Sequence, residues 1–236
     1  MEFDRKEQIF VVGAGVIGCS LSLELADRGW QVTLVERDTA LRGSSWAAAG
    51  MLAVEDPHNP VELLELSRYS RGQYDRFLGR IEALGRVSVR YQTERVRQYL
   101  PGGGSELLVE HSLNPRELAA AVRAAVVNSS VELLEGAAGF SVPEQAATVI
   151  TAGSWSGSLA PLRVRPAKGQ MLRVTVPAGA ITEAHRSAGI YVVPRMHGEQ
   201  AGTALVGATI EDVGFDTTVQ EEDLVRVRER AAGLAP

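Results

Sequence analysis

Three glycines near the start of the chain have the types and spacing that could hold a phosphate-containing ligand. They stand in the run Gly13-Ala14-Gly15-Val16-Ile17-Gly18, which matches the pattern G-x-G-x-x-G. In such a run the first glycine allows a tight turn, the second lets a pyrophosphate approach the backbone, and the third lets a helix pack on a sheet. The N-terminus of that helix would add free N–H donors and a partial positive charge. The run therefore predicts a dinucleotide site.

Glu36 has the position of the acidic residue that such a site needs. It ends the β-rich run Gln31–Glu36, 18 residues after Gly18. A carboxylate there can accept hydrogen bonds from ribose hydroxyls, and it would repel a 2′-phosphate. NADP is therefore disfavoured, while the motif alone leaves both FAD and NAD open.

A strand–helix–strand unit would bring these residues together. Gln8–Val12 is a short apolar run that stops at a glycine, which predicts a buried parallel strand. Apolar positions at helical spacing predict a helix over Val16–Arg28, with Gly29 at its C-terminal end. With Gln31–Glu36 as the second strand, this is the shortest parallel crossover.

The remainder of the chain changes from helical to strand-rich patterns. We predict further helices over Val61 to about Leu84, Asn114–Val127 and Glu221–Leu234, and strands over Val131–Leu134, Ala147–Ile150, Gln170–Val176, Gly189–Pro194 and Thr203–Thr209. We expect the first of these helices to bury Leu63, Leu64, Leu66, Tyr74, Phe77 and Leu78. The Gly- and Pro-containing turns between the last three strands predict an antiparallel sheet.

Composition argues against several partners. The net charge is −5 and there is no basic stripe, which argues against nucleic acid, and no stretch approaches the ~18 apolar residues that span a bilayer. Cys19 is the single cysteine, so no disulfide can form within the chain, and a reducing cytosol fits. We therefore expect a cytoplasmic protein that binds neither nucleic acid nor membrane.

The sequence offers no convincing acid–base catalyst. The four histidines lie in loop-like or turn-like contexts, and we interpret them as solvated: His58, His111, His185 and His197. We predict neither a catalytic side chain nor a metal site.

Five further blocks carry a family resemblance. They are Glu36-Arg37 with Arg42–Leu52, then Val149–Ser156, Arg165–Met171, Tyr191–Arg195 and Val206–Asp216. In this order they resemble the glycine oxidase (ThiO) group of the D-amino-acid oxidase family of flavoproteins, and they cover most of the chain. The resemblance implies FAD as the nucleotide.

The resemblance also implies roles for individual residues. Besides Gly13, Gly15 and Gly18, the cofactor-binding residues would be Val16 and Ile17 at the pyrophosphate, Glu36 and Arg37 at the adenosine ribose, Ser44 and Ser45 at phosphate or flavin, Ala49, Gly50 and Met51 along the isoalloxazine, the backbone of Ala138 at the adenine, and Gly153 as a close backbone approach. Tyr191 would lie near the carboxylate of the substrate. The small residues of Ala47–Gly50 would let backbone N–H groups reach a flat ring.

The implied fold is α/β: an FAD-binding Rossmann-like domain that carries a second, α+β substrate domain built on an antiparallel sheet. We predict residues 1–85 and 112–160 for the FAD-binding domain, and residues 86–111 and 161–236 for the substrate domain. The chain is short for the family between Tyr91 and His111 and over Phe140–Thr148. We also expect a chain ending at Pro236 to lack the arginine that clamps the substrate carboxylate in the family.

The implied activity is oxidation of glycine or another small D-amino acid to an imine and then a keto acid. Oxygen would accept the electrons and give hydrogen peroxide, and the imine would serve thiamine (thiazole) biosynthesis. Sarcosine-oxidase-like or D-amino-acid dehydrogenase activity, a catalytically incomplete nucleotide-binding relative, and a homo-oligomer all stay open. The run Gly43–Met51 argues against an NAD-dependent dehydrogenase.

Overall fold

The structure is a computed structural model that describes residues 8–57 and 59–234. The strands are β1 Gln8–Val12, β2 Gln31–Val35, β3 Tyr91–Thr93, β4 Val96–Tyr99, β5 Ser105–Leu108, β6 Ser112–Leu113, β7 Glu132–Leu134, β8 Ala147–Ile150, β9 Met171–Thr175, β10 Ala184–Ser187, β11 Ile190–Arg195 and β12 Thr203–Gly207. The helices are α1 Val16–Asp27, α2 Ser44–Ala47, α3 Leu64–Gly85, α4 Pro115–Val127, α5 Ser156–Leu159 and α6 Glu221–Ala232. Two 3₁₀ turns cover Val61–Leu63 and Gly153–Trp155.

The chain divides into two compact units. The first unit contains Met1–Ala48, Asp75–Val89 and Pro115–Arg165, and the second contains Ala49–Tyr74, Arg90–Asn114 and Pro166–Pro236. Residues 49–74, which we predict in the FAD-binding domain, thus lie with the second unit. The assignment of a cofactor domain and a substrate domain stays a prediction.

The first unit is built on a parallel sheet with the strand order β7-β2-β1-β8. β1 pairs in parallel with both β2 and β8, and Ile9, Phe10 and Val11 are buried because both faces of this strand are covered. α1 leads from β1 to β2 and ends before Gly29, whose φ of +87° closes the helix. The predicted βαβ unit and the Rossmann-like class are confirmed.

Only the C-terminal turns of α3 belong to the core of the first unit. Leu78, Ile81 and Gly85 are buried, and a Cβ on Gly85 would lie 2.8 Å from the backbone nitrogen of Ala125 on α4. Most of the predicted core positions on this helix are wrong: Leu63 and Leu66 are exposed, and Leu64, Tyr74 and Phe77 are only half-buried. The apolar spacing defines a helix face, but the fully buried residues of α3 all lie in its C-terminal half.

The second unit is built on a six-stranded sheet with the order β5-β4-β10-β11-β12-β9. All neighbours are antiparallel except β4 and β10, which run parallel, so the sheet as a whole is mixed. The last three predicted strands pair as predicted, because β12 is antiparallel to both β9 and β11. Side chains alternate between the two faces of β11. Ile190 and Val192 point to one face and form a buried cluster with Val227 of α6, while Tyr191, Val193 and Arg195 point to the other.

The predicted solvation of the histidines is wrong for His185. This residue is buried in β10, its Nδ1 lies 3.1 Å from the hydroxyl of Tyr99, and burial lowers its pKa. His111 is half-buried, with its Nδ1 2.9 Å from Arg71. His197 is exposed as predicted, and His58 lies outside the described residues. None of the helices over residues 8–57 and 59–234 is long and apolar enough to cross a membrane.

We predict that α4 contributes to stability through one face only. Val126 is 0% exposed and its neighbour Val127 is 56% exposed, so the same substitution can be compared at adjacent positions. Val126→Ala should lower the free energy of unfolding by about 2 kcal/mol, because it leaves a cavity. Val127→Ala should stay within about 0.5 kcal/mol of the wild type. Urea unfolding followed by circular dichroism measures both, and equal losses would contradict the described packing of α4.

Candidate functional site

The glycine turn lies at the carboxyl edge of the parallel sheet, directly after β1. Gly13 has φ +103°, and a Cβ there would lie 2.7 Å from the Cα of Ala152. A Cβ on Gly18 would overlap the carbonyl oxygen of Gly13 and lie 2.6 Å from Oγ1 of Thr151. Both positions therefore require glycine, and their packing brings the N-terminus of α1 onto the ends of β1 and β8.

Thr151 stabilises this turn through two hydrogen bonds, although no sequence motif identified it. Its hydroxyl donates to the carbonyl of Gly13 at 2.7 Å, and its backbone N–H donates to Val12 at 2.8 Å. On the other side of the turn, the N–H of Gly13 donates to the carbonyl of Val35 at 2.8 Å. The position of Thr151 directly after an apolar strand is the one signal that could have identified it.

Ser45 lies at the N-terminus of α1. Its Oγ accepts a hydrogen bond from the N–H of Val16 at 2.9 Å, and a Cβ on Gly15 would lie 3.2 Å from the same oxygen. A hydroxyl that accepts from a backbone N–H keeps its own proton for a second acceptor, such as a phosphate oxygen. Ile17 is exposed on the first turn of the helix, and Ser44 is exposed next to Ser45. The structure therefore brings the predicted phosphate-binding residues Gly15, Val16, Ile17 and Ser45 together.

Glu36 lies at the end of β2, beside the glycine turn. Its Oε2 accepts from the N–H of Ala14 at 2.8 Å, and its Oε1 accepts from the N–H of Asp38 at 3.0 Å. Each carboxylate oxygen has a second lone pair, so both can still accept a ribose hydroxyl. Arg37 lies near this carboxylate in sequence, and its guanidinium stacks 4.7 Å from the centre of the Trp155 ring.

Ala138 and Gly153 border the same edge in different ways. The exposed turn that contains Ala138 is held next to Glu36, because the N–H of Ala137 donates to the carbonyl of Glu36 at 2.9 Å. Gly153 has φ +55°, but a Cβ there would meet no described atom within 4 Å. Glycine is favoured at position 153 by its backbone conformation, and the predicted close backbone approach at this residue stays a prediction.

Cys19 is not available as a nucleophile beside the turn. Its side chain is buried, and burial, with smaller contributions from Glu36 and Glu135, raises the pKa of its thiol to about 12. The reactive form of a cysteine is the thiolate, which is scarce at neutral pH when the pKa is that high.

In the second unit, the predicted isoalloxazine neighbours form a backbone segment, Ala49–Leu52, next to β6. The carbonyl of Gly50 accepts from the N–H of Leu113 at 2.8 Å, and the N–H of Leu52 donates to the carbonyl of His111 at 2.8 Å. Gly50 has φ +86°, which a residue with a side chain rarely adopts. Met51 thus forms a single antiparallel bridge with Ser112.

Tyr191 lies on the face of the mixed sheet that is opposite α6. Its hydroxyl donates to the sulfur of Met171 at 2.9 Å, and a Cβ on Gly207 would lie 3.0 Å from the same hydroxyl. The absence of a side chain at Gly207 therefore leaves room for the phenol ring. Burial raises the pKa of Tyr191, so the group is a neutral hydrogen-bond donor and acceptor at neutral pH.

A buried polar cluster beside Tyr191 escaped the sequence analysis. Arg186 on β10 pairs directly opposite Tyr191, so the two side chains share a face. Its guanidinium donates to Gln98 at 2.6 Å and to Glu110 at 2.8 Å, and it lies 3.5 Å from Asp56. These partners are distant in sequence, and no motif connects them, so only the strand register could reveal the cluster.

Together, the fold and the glycine turn define a dinucleotide-binding protein of the Rossmann-like class. The sequence model of the family described as "DAO: FAD dependent oxidoreductase" matches residues 8–88 and 79–236. The chain belongs to this family.

Two relatives and one solved structure illustrate the similarity. The bifunctional protein ThiO/ThiG of Synechocystis sp. is 27% identical over 285 residues, covering 97% of this chain and 42% of that protein. The glycine oxidase of Pseudomonas aeruginosa is 29% identical over 291 residues, covering 98% of this chain and 78% of that protein. The crystal structure of glycine oxidase from Geobacillus kaustophilus matches with a TM-score of 0.86 at 21% identity, covering 98% of this chain and 78% of that chain. The chain thus spans about two fifths of the length of its ThiO/ThiG relatives.

We predict that two glycines of the turn, Gly18 and Gly15, respond differently when alanine replaces them. Gly18→Ala should lower the free energy of unfolding by about 2 kcal/mol or more, because its Cβ overlaps a carbonyl. Gly15→Ala should stay within about 1 kcal/mol of the wild type, because Ser45 can move away, yet it should weaken FAD binding at least about tenfold. Urea unfolding and quenching of FAD fluorescence measure the two effects.

Gly72→Ala is the matched control, since a Cβ there would meet no described atom within 4 Å. It should leave both stability and FAD binding unchanged or slightly improve stability, because alanine favours the interior of α3. A Gly15→Ala protein that binds FAD as tightly as this control would contradict the assignment of Gly15.

Proposed function

We propose that this chain binds FAD and oxidises a small amino acid, with glycine as the first candidate substrate. The observation that carries the proposal is the turn of Gly13–Gly18, which requires glycine at positions 13 and 18 and directs the N-terminus of α1 to the carboxyl edge of the sheet. Family membership and the glycine oxidase relatives support FAD over other dinucleotides.

The first unit would hold the adenosine and pyrophosphate of FAD. The N–H groups of the first turn of α1 and the hydroxyl of Ser45 would bind the phosphates, because both lie where the turn leaves backbone donors accessible. The free lone pairs of Glu36 would accept the ribose hydroxyls, with Arg37 beside them. The exposed turn at Ala138 and the 3₁₀ turn at Gly153 would border the adenosine.

The second unit would contribute the residues that meet the flavin ring and the substrate. Ala49, Gly50 and Met51 would lie along the isoalloxazine, and the neutral hydroxyl of Tyr191 would donate to the substrate carboxylate in place of the sulfur of Met171. Bound FAD would supply a hydride acceptor for the α-carbon of the amino acid, with oxygen as the final electron acceptor that gives hydrogen peroxide. The protein would have to bind the amino acid and orient it towards the cofactor, and no general base is required if the amine is neutral.

The names of the relatives support a finer proposal. Curated relatives named bifunctional protein ThiO/ThiG and glycine oxidase match nearly the whole of this chain at identities of 27% and 29%. On this basis we propose that the product imine serves thiamine (thiazole) biosynthesis.

We predict that the purified protein carries or takes up FAD and that glycine reduces it. Anaerobic glycine should bleach the visible flavin absorption, and readmitted oxygen should restore it with release of one hydrogen peroxide per glycine. Sarcosine and D-proline, tested in parallel, distinguish the related activities. A protein that stays colourless with excess FAD would overturn the proposal, and a flavin that no small amino acid reduces would limit it to binding.

We predict that Glu36 contributes to FAD affinity through its position at the carboxyl edge of the sheet. Glu36→Gln should weaken FAD binding about tenfold, because an amide accepts fewer hydrogen bonds than a carboxylate. Glu132→Gln is the matched control. Glu132 is the first residue of β7, which pairs with β2, so it lies at the amino end of the same sheet. Its carboxylate accepts a hydrogen bond from the hydroxyl of Thr33 at 2.8 Å. Isothermal titration with FAD should separate the two variants, and equal affinities would refute the role of Glu36.

A further inference from the structure

Arg195 connects the mixed sheet to the glycine-containing segment Ala49–Leu52 of the same unit. The side chain lies on the face of β11 that carries Tyr191, and it is only 2% exposed. Its Nη2 donates a hydrogen bond to the carbonyl oxygen of Ala49 at 2.8 Å. The two residues are 146 positions apart in sequence, and the hydrogen bond places a buried positive charge next to the peptide group between Ala49 and Gly50.

This hydrogen bond fixes the direction of the next backbone donor. In a trans peptide the C=O and the N–H point in opposite directions, and the group is planar. Because the carbonyl of Ala49 points to Arg195, the N–H of Gly50 points away from Arg195. By the same rule, the carbonyl of Gly50 points to Leu113 of β6, so the N–H of Met51 points away from β6.

The charge of Arg195 also affects the strength of the donor at Gly50. A hydrogen bond from a guanidinium is charge-assisted, and it withdraws electron density from the carbonyl oxygen. Hydrogen bonds in a chain polarise one another, so the N–H of the same peptide group becomes a better donor. Gly50 lacks a side chain and has φ +86°, so nothing on its own Cα screens this N–H.

We propose that Arg195 is a positioning residue for the flavin: it orients and polarises the Ala49–Gly50 peptide so that the N–H of Gly50 serves as a hydrogen-bond donor to the isoalloxazine. This inference rests on the proposed binding of FAD. A purely structural arginine would only fill space in the sheet. Here the atom that Arg195 affects is the N–H of Gly50, which belongs to the segment Ala49–Leu52. An apolar side chain of similar volume could fill the same space without a buried charge.

Arg195→Lys tests the proposal, because it keeps the charge but changes the reach and the planar geometry of the donor. In the protein without FAD, amide exchange at Leu52 and Leu113 should become about tenfold faster, since both hydrogen bonds depend on the position of the segment. FAD affinity should fall about tenfold, and the midpoint potential of bound FAD should become more negative, because reduced flavin loses a donor. A change in fold stability alone would not move that potential.

Arg97→Lys is the control, because it makes the same substitution in the same sheet at a residue paired with Glu183 at 2.7 Å. It should leave the exchange at Leu52 and the flavin potential at wild-type values. If Arg195→Lys matches this control while FAD binds normally, the role of Arg195 is refuted and the proposed function stands. If the wild-type protein binds no FAD, the proposed function fails and the flavin role of Arg195 fails with it, and the exchange data still decide whether Arg195 holds the segment.

Discussion

The packing of Gly18 on the carbonyl of Gly13 determines the geometry of the functional edge of the first unit. A side chain at position 18 would overlap the carbonyl of Gly13, so only glycine at that position lets α1 pack this closely on the end of β1. The hydroxyl of Thr151 bonds the same carbonyl and ties the turn to the end of β8. With the turn held from both sides, the N–H of Ala14 is directed to Glu36 and that of Val16 to Ser45. One steric contact thus helps to hold Glu36 and Ser45, two predicted cofactor-binding residues, at this edge of the sheet.

The local part of this edge could be predicted from sequence, and the tertiary part could not. The glycine run, the apolar strand before it and Glu36 lie within 30 residues of one another, so pattern and spacing carry the information. Thr151 is 138 residues from its partner Gly13, and no short motif records that contact. The same limit applies to Ala152, whose Cα would lie 2.7 Å from a Cβ on Gly13 although the two residues are far apart in sequence.

Hydrophobic periodicity also failed to predict burial where burial depends on a neighbouring element that covers the side chain. The apolar spacing of α3 defines a face, yet Leu63 and Leu66 are exposed because the neighbouring α4 covers only the last turns. The loop-like or turn-like context of His185 in the sequence predicts a solvated side chain, but the residue lies on the third of six strands and is buried there. Arg186 and Arg195 are buried for the same reason, and burial of a guanidinium is tolerated only with partners at hydrogen-bonding distance. The order of the strands in the sheet therefore decides the environment of these side chains, and that order cannot be predicted directly from a single sequence.

The two units use one physical device to present backbone donors. In the first unit, the carbonyls of the first turn of α1 bond within the helix, which leaves the N–H groups of that turn directed outwards. In the second unit, the carbonyls of Ala49 and Gly50 are bonded by Arg195 and Leu113, which directs the following N–H groups away from both partners. A peptide donor has a fixed direction once the carbonyl of the same group is bonded, and it needs no side chain of its own. This is consistent with the small residues in both segments, among them Gly15, Ala49 and Gly50, while the thiol of Cys19 and the imidazole of His185 are buried.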